Sequence, residues 1–377
     1  MKVVMITGNG GSGGLVGYIR GILSASVISN EHEVVLFCGT RLFERLGNIR
    51  TQVKVVQTPL VEERGVDIVL NNPLPEELVK MISNENPDII VFLNGYTRRG
   101  LEAWPNVMIL HNQLYVDTYQ LMRHGLSKLT VQLMGFRFAV RRSMRNADGV
   151  IFLSNFSKQQ ADEKKVYYKN GVVIPFGFED HNRRDKISYR PIGDRIRLLY
   201  VSAMYPYKNH IHLVRACSLL KKGGYDFELH LVGQKYKPVF KNLVREIRNS
   251  DLEDNVVFHG WVNHERIKSL IDESDIFVYA SSVETTGYGL LEGMARGALI
   301  ASSNEAGFPE MLRDGGVYFN PQDCQSIKTA LLKLIKMDKR ERVSLQEKAL
   351  RYSYEYSWDQ AAKQHYDYFR KLSSTFE

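Results

Sequence analysis

Residues 275–294 read DIFVYASSVETTGYGLLEGM. The stretch opens on a continuous apolar run, crosses a polar loop containing Gly287 and Gly289, and enters a run of Leu, Glu and Met that favours helix. Unbroken apolar runs mark strands covered on both faces, and such strands alternating with helical segments mark parallel βαβ units. The next apolar run, ALIASS at 298–303, follows at once, so one helix joins two strands. Glu284 and Glu292 stand eight positions apart across the intervening loop.

The same alternation extends in both directions. Before it come IRLLYVS, FELHLVG and NVVFHG, and earlier still KVVMIT, HEVVLF, PDIIVFL, NVMILH, GVIFLS and GVVIPFG, alternating with longer amphipathic segments. Between the two series lies DHNRRDKISYRPIGD (180–194), polar and charged with one Pro and one Gly, the composition of an interdomain linker. The chain's 377 residues exceed what one core serves and imply two domains of roughly 150–200 residues. The boundary is expected near residue 185. The last stretch, YSYEYSWDQAAKQHYDYFRKL, has aromatics at helical spacing and reads as a closing helix.

The composition, 44% hydrophobic and 24% charged, is that of a globular chain. The apolar run in MKVVMITGNGG is too short for a signal-peptide core, and no run reaches membrane-spanning length. Cys38, Cys217 and Cys324 are scattered, with no Cys-x-x-Cys pair, so the expected compartment is a reducing cytoplasm. The net charge of +8 is uneven. From Arg98 to Ala147 there are eight Lys/Arg (Arg98, Arg99, Arg123, Lys128, Arg137, Arg141, Arg142, Arg145) against Glu102 and Asp117. Such a patch attracts nucleic acid, anionic lipid or an anionic substrate, and charge alone does not choose among them.

In doubly wound sheets, ligands meet the residues directly after each strand. After the first strand, Gly8-Asn9-Gly10-Gly11-Ser12-Gly13 fits the dinucleotide pattern G-x-G-x-x-G. The acidic residue that holds NAD ribose is missing: the second strand is followed by Gly39, Thr40 and Arg41, which suit at best a 2′-phosphate. No Gly-Lys-Ser/Thr closes a Walker A loop. What survives is a small-residue turn that lets an anion approach a helix N-terminus, or a plain strand-to-helix turn.

Glu284 follows a strand, and Glu292 is expected in the first turn of the next helix, so that the residues between them form an anion-binding nest of backbone N–H groups. Two other readings stand beside this one. Glu292 can complement a helix dipole, and two carboxylates about 5–10 Å apart can form a glycosidase pair. Lys208, in YVSAMYPYKNH after another strand, is placed to meet a phosphate or to be simply solvated. His111, ending the strand NVMILH, is a sugar-pocket candidate or a hydrogen-bonded core histidine.

Taken together these residues resemble glycosyltransferase family 4, retaining nucleotide-sugar transferases of GT-B fold, nearly from end to end. The Glu-x7-Glu pair with Gly287 between, followed by GMARGALIASSNEAGFPEML, is the most specific element. The resemblance implies an α/β chain of two Rossmann-like domains facing a central cleft: 1–185 on the acceptor side, 186–352 on the donor side, and 353–377 as a helix packing back on the first. It implies that Glu284 contacts sugar hydroxyls and Glu292 the ribose. The amides of Thr285, Thr286, Gly287, Tyr288 and Gly289 would meet the diphosphate, with Lys208 as its cation.

By the same resemblance Gly13 and Gly14 lie near the phosphates, and His111 lies in the sugar pocket. Gly233, Trp261 and Val262 would contact the base through backbone, and Tyr356–Trp358 opens the terminal helix. One position departs from the pattern: Ala203 stands where the family usually has an arginine partnering the lysine. No Asp-x-Asp occurs to carry a metal between protein and diphosphate, so neither metal nor other cofactor is expected.

The function implied is retaining, metal-independent transfer of a sugar from a UDP- or GDP-linked donor to a hydroxyl of a glycan or lipid-linked acceptor. The expected setting is cell-surface polysaccharide, lipopolysaccharide or glycolipid biosynthesis at the inner face of the cell membrane, with no nucleic-acid partner. A nucleotide-sugar epimerase or NAD(P)-dependent oxidoreductase is the rival enzyme class, and a non-catalytic sugar- or lipid-head-group-binding protein is the non-enzymatic rival.

Overall fold

The computed structural model describes residues 1–8, 13–26, 32–47, 52–62, 65–125, 128–179 and 183–376. The chain divides into two compact units, Met1–Glu179 together with Tyr356–Glu377, and Asp180–Glu355.

In the first unit the chain forms β1 (Lys2–Thr7), α1 (Gly13–Ser24), β2 (Glu33–Cys38), α2 (Thr40–Leu46), β3 (Val53–Gln57), α3 (Gly65–Leu70), α4 (Glu76–Ser83), β4 (Ile89–Phe92), β5 (Asn106–Leu110), α5 (Thr118–Met122), α6 (Lys128–Asn146), β6 (Gly149–Phe152), α7 (Asn155–Glu163) and β7 (Asn170–Val173). The strands make one sheet in the order β3-β2-β1-β4-β5-β6-β7, parallel at each pairing. β4 and β6 are buried at all four residues, as strands sandwiched between helical layers must be. One core cluster centres on Val4, Val35, Leu78, Ile82 and Ile90, and another on Met108, Val140, Val150 and Phe152.

The second unit continues with β8 (Arg195–Val201), α8 (His210–Lys222), β9 (Asp226–Val232), α9 (Lys237–Asn249), β10 (Val256–Gly260), α10 (His264–Glu273), β11 (Ile276–Tyr279), α11 (Tyr288–Ala295), β12 (Ile300–Ser303), α12 (Phe308–Leu312), β13 (Val317–Phe319), α13 (Cys324–Lys336) and α14 (Lys339–Ser353). Its sheet runs β10-β9-β8-β11-β12-β13, again parallel throughout. β8 is flanked by β9 on one side and β11 on the other, so successive connections leave it in opposite directions. A crevice opens outside the strand ends at such a switch point.

The chain closes with α15 (Trp358–Ser373), a member of the first unit. Trp358 anchors it: a Cβ added at Gly21 would sit 2.0 Å from the Trp358 ring, and one at Gly177 2.4 Å, so both glycines make room for the indole. Tyr18 of α1 shares a hydrogen bond with His365, and Tyr368 donates to the Asn170 carbonyl at 2.8 Å.

Candidate donor site

The site is built where β8 and β11 end side by side. β8 runs into Ser202 and Ala203, and a single helical turn, Pro206–Lys208, carries the chain to α8. Asn209 ends that turn in the left-handed region at φ 55°, a conformation that asparagine accepts more readily than most residues. Its side-chain amide donates at 2.7 Å both to the Ala280 carbonyl and to the Ser282 hydroxyl. The Ser282 amide donates in turn to the Tyr207 carbonyl at 2.8 Å, and Tyr200 donates to the Lys208 carbonyl at 2.9 Å. The turn after β8 and the loop after β11 are thus stitched into one frame.

Within that frame Lys208 forms an ion pair with Glu284. Lys208 is only 9% exposed, which leaves its ammonium little water. Burial pushes it down from its ordinary value to about 7, and the Glu284 carboxylate, by favouring the charged form, opposes that push. The same Glu284 oxygen lies 3.4 Å from the Tyr279 hydroxyl and 3.4 Å from the Ser281 hydroxyl.

Glu292 is the fifth residue of α11 and lies in its second turn rather than its first, because the helix begins at Tyr288. It therefore falls outside the turn where a carboxylate gains from the helix dipole. It is buried, with Oε1 3.1 Å from Nδ1 of the exposed His264 at the start of α10. Gly287 at the helix cap and Gly289 in the first turn of α11 serve space rather than flexibility: Gly287 has φ −82°, and a Cβ there would press the Phe308 ring at 2.9 Å, while one at Gly289 would meet the Tyr279 ring at 3.1 Å. The Tyr288 amide already donates to the Thr286 carbonyl at 3.1 Å, so that member of the expected nest is engaged within the turn. Thr285 is buried, and Thr286 and Tyr288 are half-buried.

Gly233 follows β9 at φ 142°, and a Cβ there would fall 2.2 Å from the Ser202 carbonyl oxygen. Its amide donates to Gly260 at 2.8 Å, tying the ends of β9 and β10 together. Trp261 is 80% exposed and Val262 is half-buried, so neither side chain is enclosed. Sequence reading passed over Asn209, His264, Tyr279 and Ser281. It also missed a set of rings at the ends of β8 and β9, where Tyr205 stacks on Tyr207 at 5.8 Å and lies 5.4 Å from Tyr236. A tyrosine inside a buried strand is the signal that could have found Tyr279, since its hydroxyl must reach a partner.

In the first unit, Gly13 and Gly14 open α1, while Asn9 to Ser12 lie outside the described residues. His111 directly follows β5, edge-on to Tyr18 with ring centroids 4.9 Å apart. Burial, reinforced by His365, pushes His111 down to about 3, so it is neutral at physiological pH. The Thr40 amide, at the α2 start where a 2′-phosphate would sit, donates to the Glu62 carboxylate at 3.2 Å, a charge that repels such a phosphate. The described residues contain no group of three or more His, Cys, Asp or Glu able to hold a metal ion.

Much of the basic stretch is committed internally. Arg137 donates to the Tyr115 and Val116 carbonyls, Arg142 to those of Ile68 and Val69, and Arg98 to that of Asn72. Among the described residues no helix is long and apolar enough to cross a membrane.

Residues 182–351 match the family model described as glycosyl transferases group 1. The amylovoran biosynthesis glycosyltransferase AmsK of Erwinia amylovora is 32% identical over 147 residues, which cover 37% of this chain and 36% of that protein. The chain thus spans about a third of the length of this curated relative. Sucrose-phosphate synthase from Thermosynechococcus elongatus superposes with a TM-score of 0.75 at 16% identity, covering all of both chains. HepE of Anabaena, solved with UDP and glucose, gives 0.74 at 18% identity over 98% of this chain and 100% of that one. Residues 182–351 are thus similar to glycosyl transferases group 1, and the fold of the chain is that of these solved structures, GT-B.

Proposed function

We propose that the chain is a retaining glycosyltransferase that moves a sugar from a UDP- or GDP-linked donor to a hydroxyl of a glycan or lipid-linked acceptor, without a metal. The observation that carries this reading is the Lys208–Glu284 pair at the β8/β11 switch point, with buried Glu292 on the helix that follows. A largely desolvated ammonium beside a carboxylate can meet a diphosphate and the hydroxyls of a sugar, and both contacts gain strength where water is excluded. The name of the AmsK relative and the UDP and glucose bound by HepE support polysaccharide assembly and a uridine diphosphate donor.

In the proposed reaction the bond between sugar and diphosphate breaks as the acceptor oxygen bonds to the same face of the sugar, and the acceptor proton passes to the departing phosphate oxygen. Lys208 and amides of the 285–289 loop stabilise the leaving charge, Glu284 orients the sugar, and Glu292 holds the ribose. Gly233, Trp261 and Val262 border the base. To the first unit the proposal assigns His111 as a sugar contact and Gly13 and Gly14 as phosphate neighbours.

The acceptor side is proposed to work at an anionic membrane surface. Val131, Met134 and Phe138 are exposed at helical spacing on α6, and Arg141 and Arg145 continue the same stripe. Val66 and Leu70 of α3, which packs on α6, and Tyr119 and Met122 of α5 add exposed apolar surface. Apolar residues followed by arginines suit an interfacial helix.

The reading is tested by thermal shift with UDP, GDP and NADP, followed by transfer assays with the matching sugar donors in EDTA. A nucleoside diphosphate that raises the midpoint and a product that keeps the donor's anomeric configuration are expected; stabilisation by NADP alone would contradict the reading.

A further inference from the structure

Among the described residues, each hydrogen bond and ion pair to Glu284 ends on Oε1: Lys208, Tyr279 and Ser281 all converge there. The two hydroxyls differ in what else they can reach. Ser281 also lies 3.2 Å from the Val283 carbonyl, an acceptor that competes for its single proton. The Tyr279 hydroxyl is aimed at Glu284 from a ring that has no room to turn away. That ring is 4% exposed and lies edge-on to Phe308 at 5.0 Å and to Tyr200 at 6.1 Å, with Gly289 against its rim. Burial first, and the Glu292 charge second, raise the phenol's pKa above its ordinary value, so it stays protonated and a donor throughout the working range.

We propose that Tyr279 is a positioning residue for the proposed transfer: its hydroxyl, with Lys208, fixes Oε1 of Glu284 so that Oε2 is the oxygen presented to the hydroxyls of the bound sugar. The inference rests on the sugar-transfer reading and adds to it a residue on the strand beneath the loop. Tyr279 touches no reacting atom; it acts through the direction in which it leaves the Glu284 carboxylate.

The test is a double-mutant cycle of Tyr279→Phe and Glu284→Gln, read by initial rates with UDP- and GDP-sugars and by calorimetry with the corresponding diphosphates. Tyr279→Phe keeps the ring and deletes one hydrogen bond to a charged group, so kcat is expected to fall about tenfold while donor KM and diphosphate Kd stay within about twofold. In the Glu284→Gln background the same substitution should cost little, because the carboxylate it positions is gone. A merely structural role would instead weaken diphosphate binding and give the same loss in both backgrounds. An active wild type with unchanged turnover in Tyr279→Phe, or with equal losses in both backgrounds, overturns the inference alone. A wild type that binds neither diphosphate and transfers no sugar overturns the reading beneath it.

Discussion

Lys208 and Glu284 join the turn after β8 to the loop after β11 through a direct ion pair, although they are 76 residues apart in sequence. Because Ala203 occupies the place where a second cation is expected by family resemblance, Lys208 is proposed to carry the leaving diphosphate with backbone support alone. Lys208→Ala is predicted to lower kcat/KM by about 10²–10³, the scale of a lost oxyanion-type contact, with a much smaller effect on the urea midpoint.

The same residue predicts a pH dependence. Only the ammonium form can meet the diphosphate, and Lys208 is pushed down to about 7, so kcat/KM should decline as pH rises through that value. Lys208→Arg, which keeps its charge throughout, should lose this alkaline limb. For stability the sign runs upward: between about 7 and the ordinary 10.5 the unfolded chain binds more protons at this residue than the folded one, so its contribution to stability rises with pH across that window. Profiles of the two proteins from pH 6 to 9 check the first claim; an identical limb in both removes Lys208 as its source.

The parallel α/β architecture was legible because buried strands write continuous apolar runs. Two strands escaped that reading, β3 and β13, and both are sheet edges. β3 carries Lys54 and is buried only at Val53, and β13 is three residues long, so neither prints a long unbroken run. Glu284, Glu292 and Lys208 stood out in sequence because charge is rare beside buried strands. Glu292 was misplaced by one helical turn because Gly287 and Gly289 read as a flexible loop, whereas packing against Phe308 and Tyr279 lets α11 begin at Tyr288. The arginines of α6 were counted as surface charge, and spacing along a helix cannot show that Arg137 and Arg142 turn inward to backbone carbonyls on other segments.

Gly233 offers a stability test free of any functional assumption. Gly233→Ala forces a side chain into a φ of 142° and into the Ser202 carbonyl, so a loss of about 2 kcal/mol or more is expected. Gly193→Ala is the control: nothing lies within 4 Å of the added Cβ, and the midpoint should hold or rise slightly. Urea unfolding of both variants decides the point, and equal midpoints would refute the close approach at Gly233.

On α6, the exposed stripe predicts that apolar contact outweighs charge. Phe138→Asp combined with Val131→Asp should abolish sedimentation with vesicles containing anionic lipid, whereas Arg145→Ala should weaken it by about 1 kcal/mol, the contribution of one near-surface arginine. Binding that survives the double aspartate change would exclude this surface.

The central claim is that Glu284 and Glu292 serve different parts of one nucleotide-sugar, and calorimetry with UDP and GDP tests it most directly. Glu292→Ala removes a proposed ribose contact made equally before and during reaction, so diphosphate Kd should rise about tenfold or more. Glu284→Gln should bind the diphosphate with wild-type affinity yet transfer sugar slowly, because the weakened hydrogen bonds are those to the sugar. One diphosphate bound by wild type and by Glu284→Gln but lost in Glu292→Ala is the result predicted. Binding of neither diphosphate to the wild type, or full affinity retained in Glu292→Ala, would contradict the account.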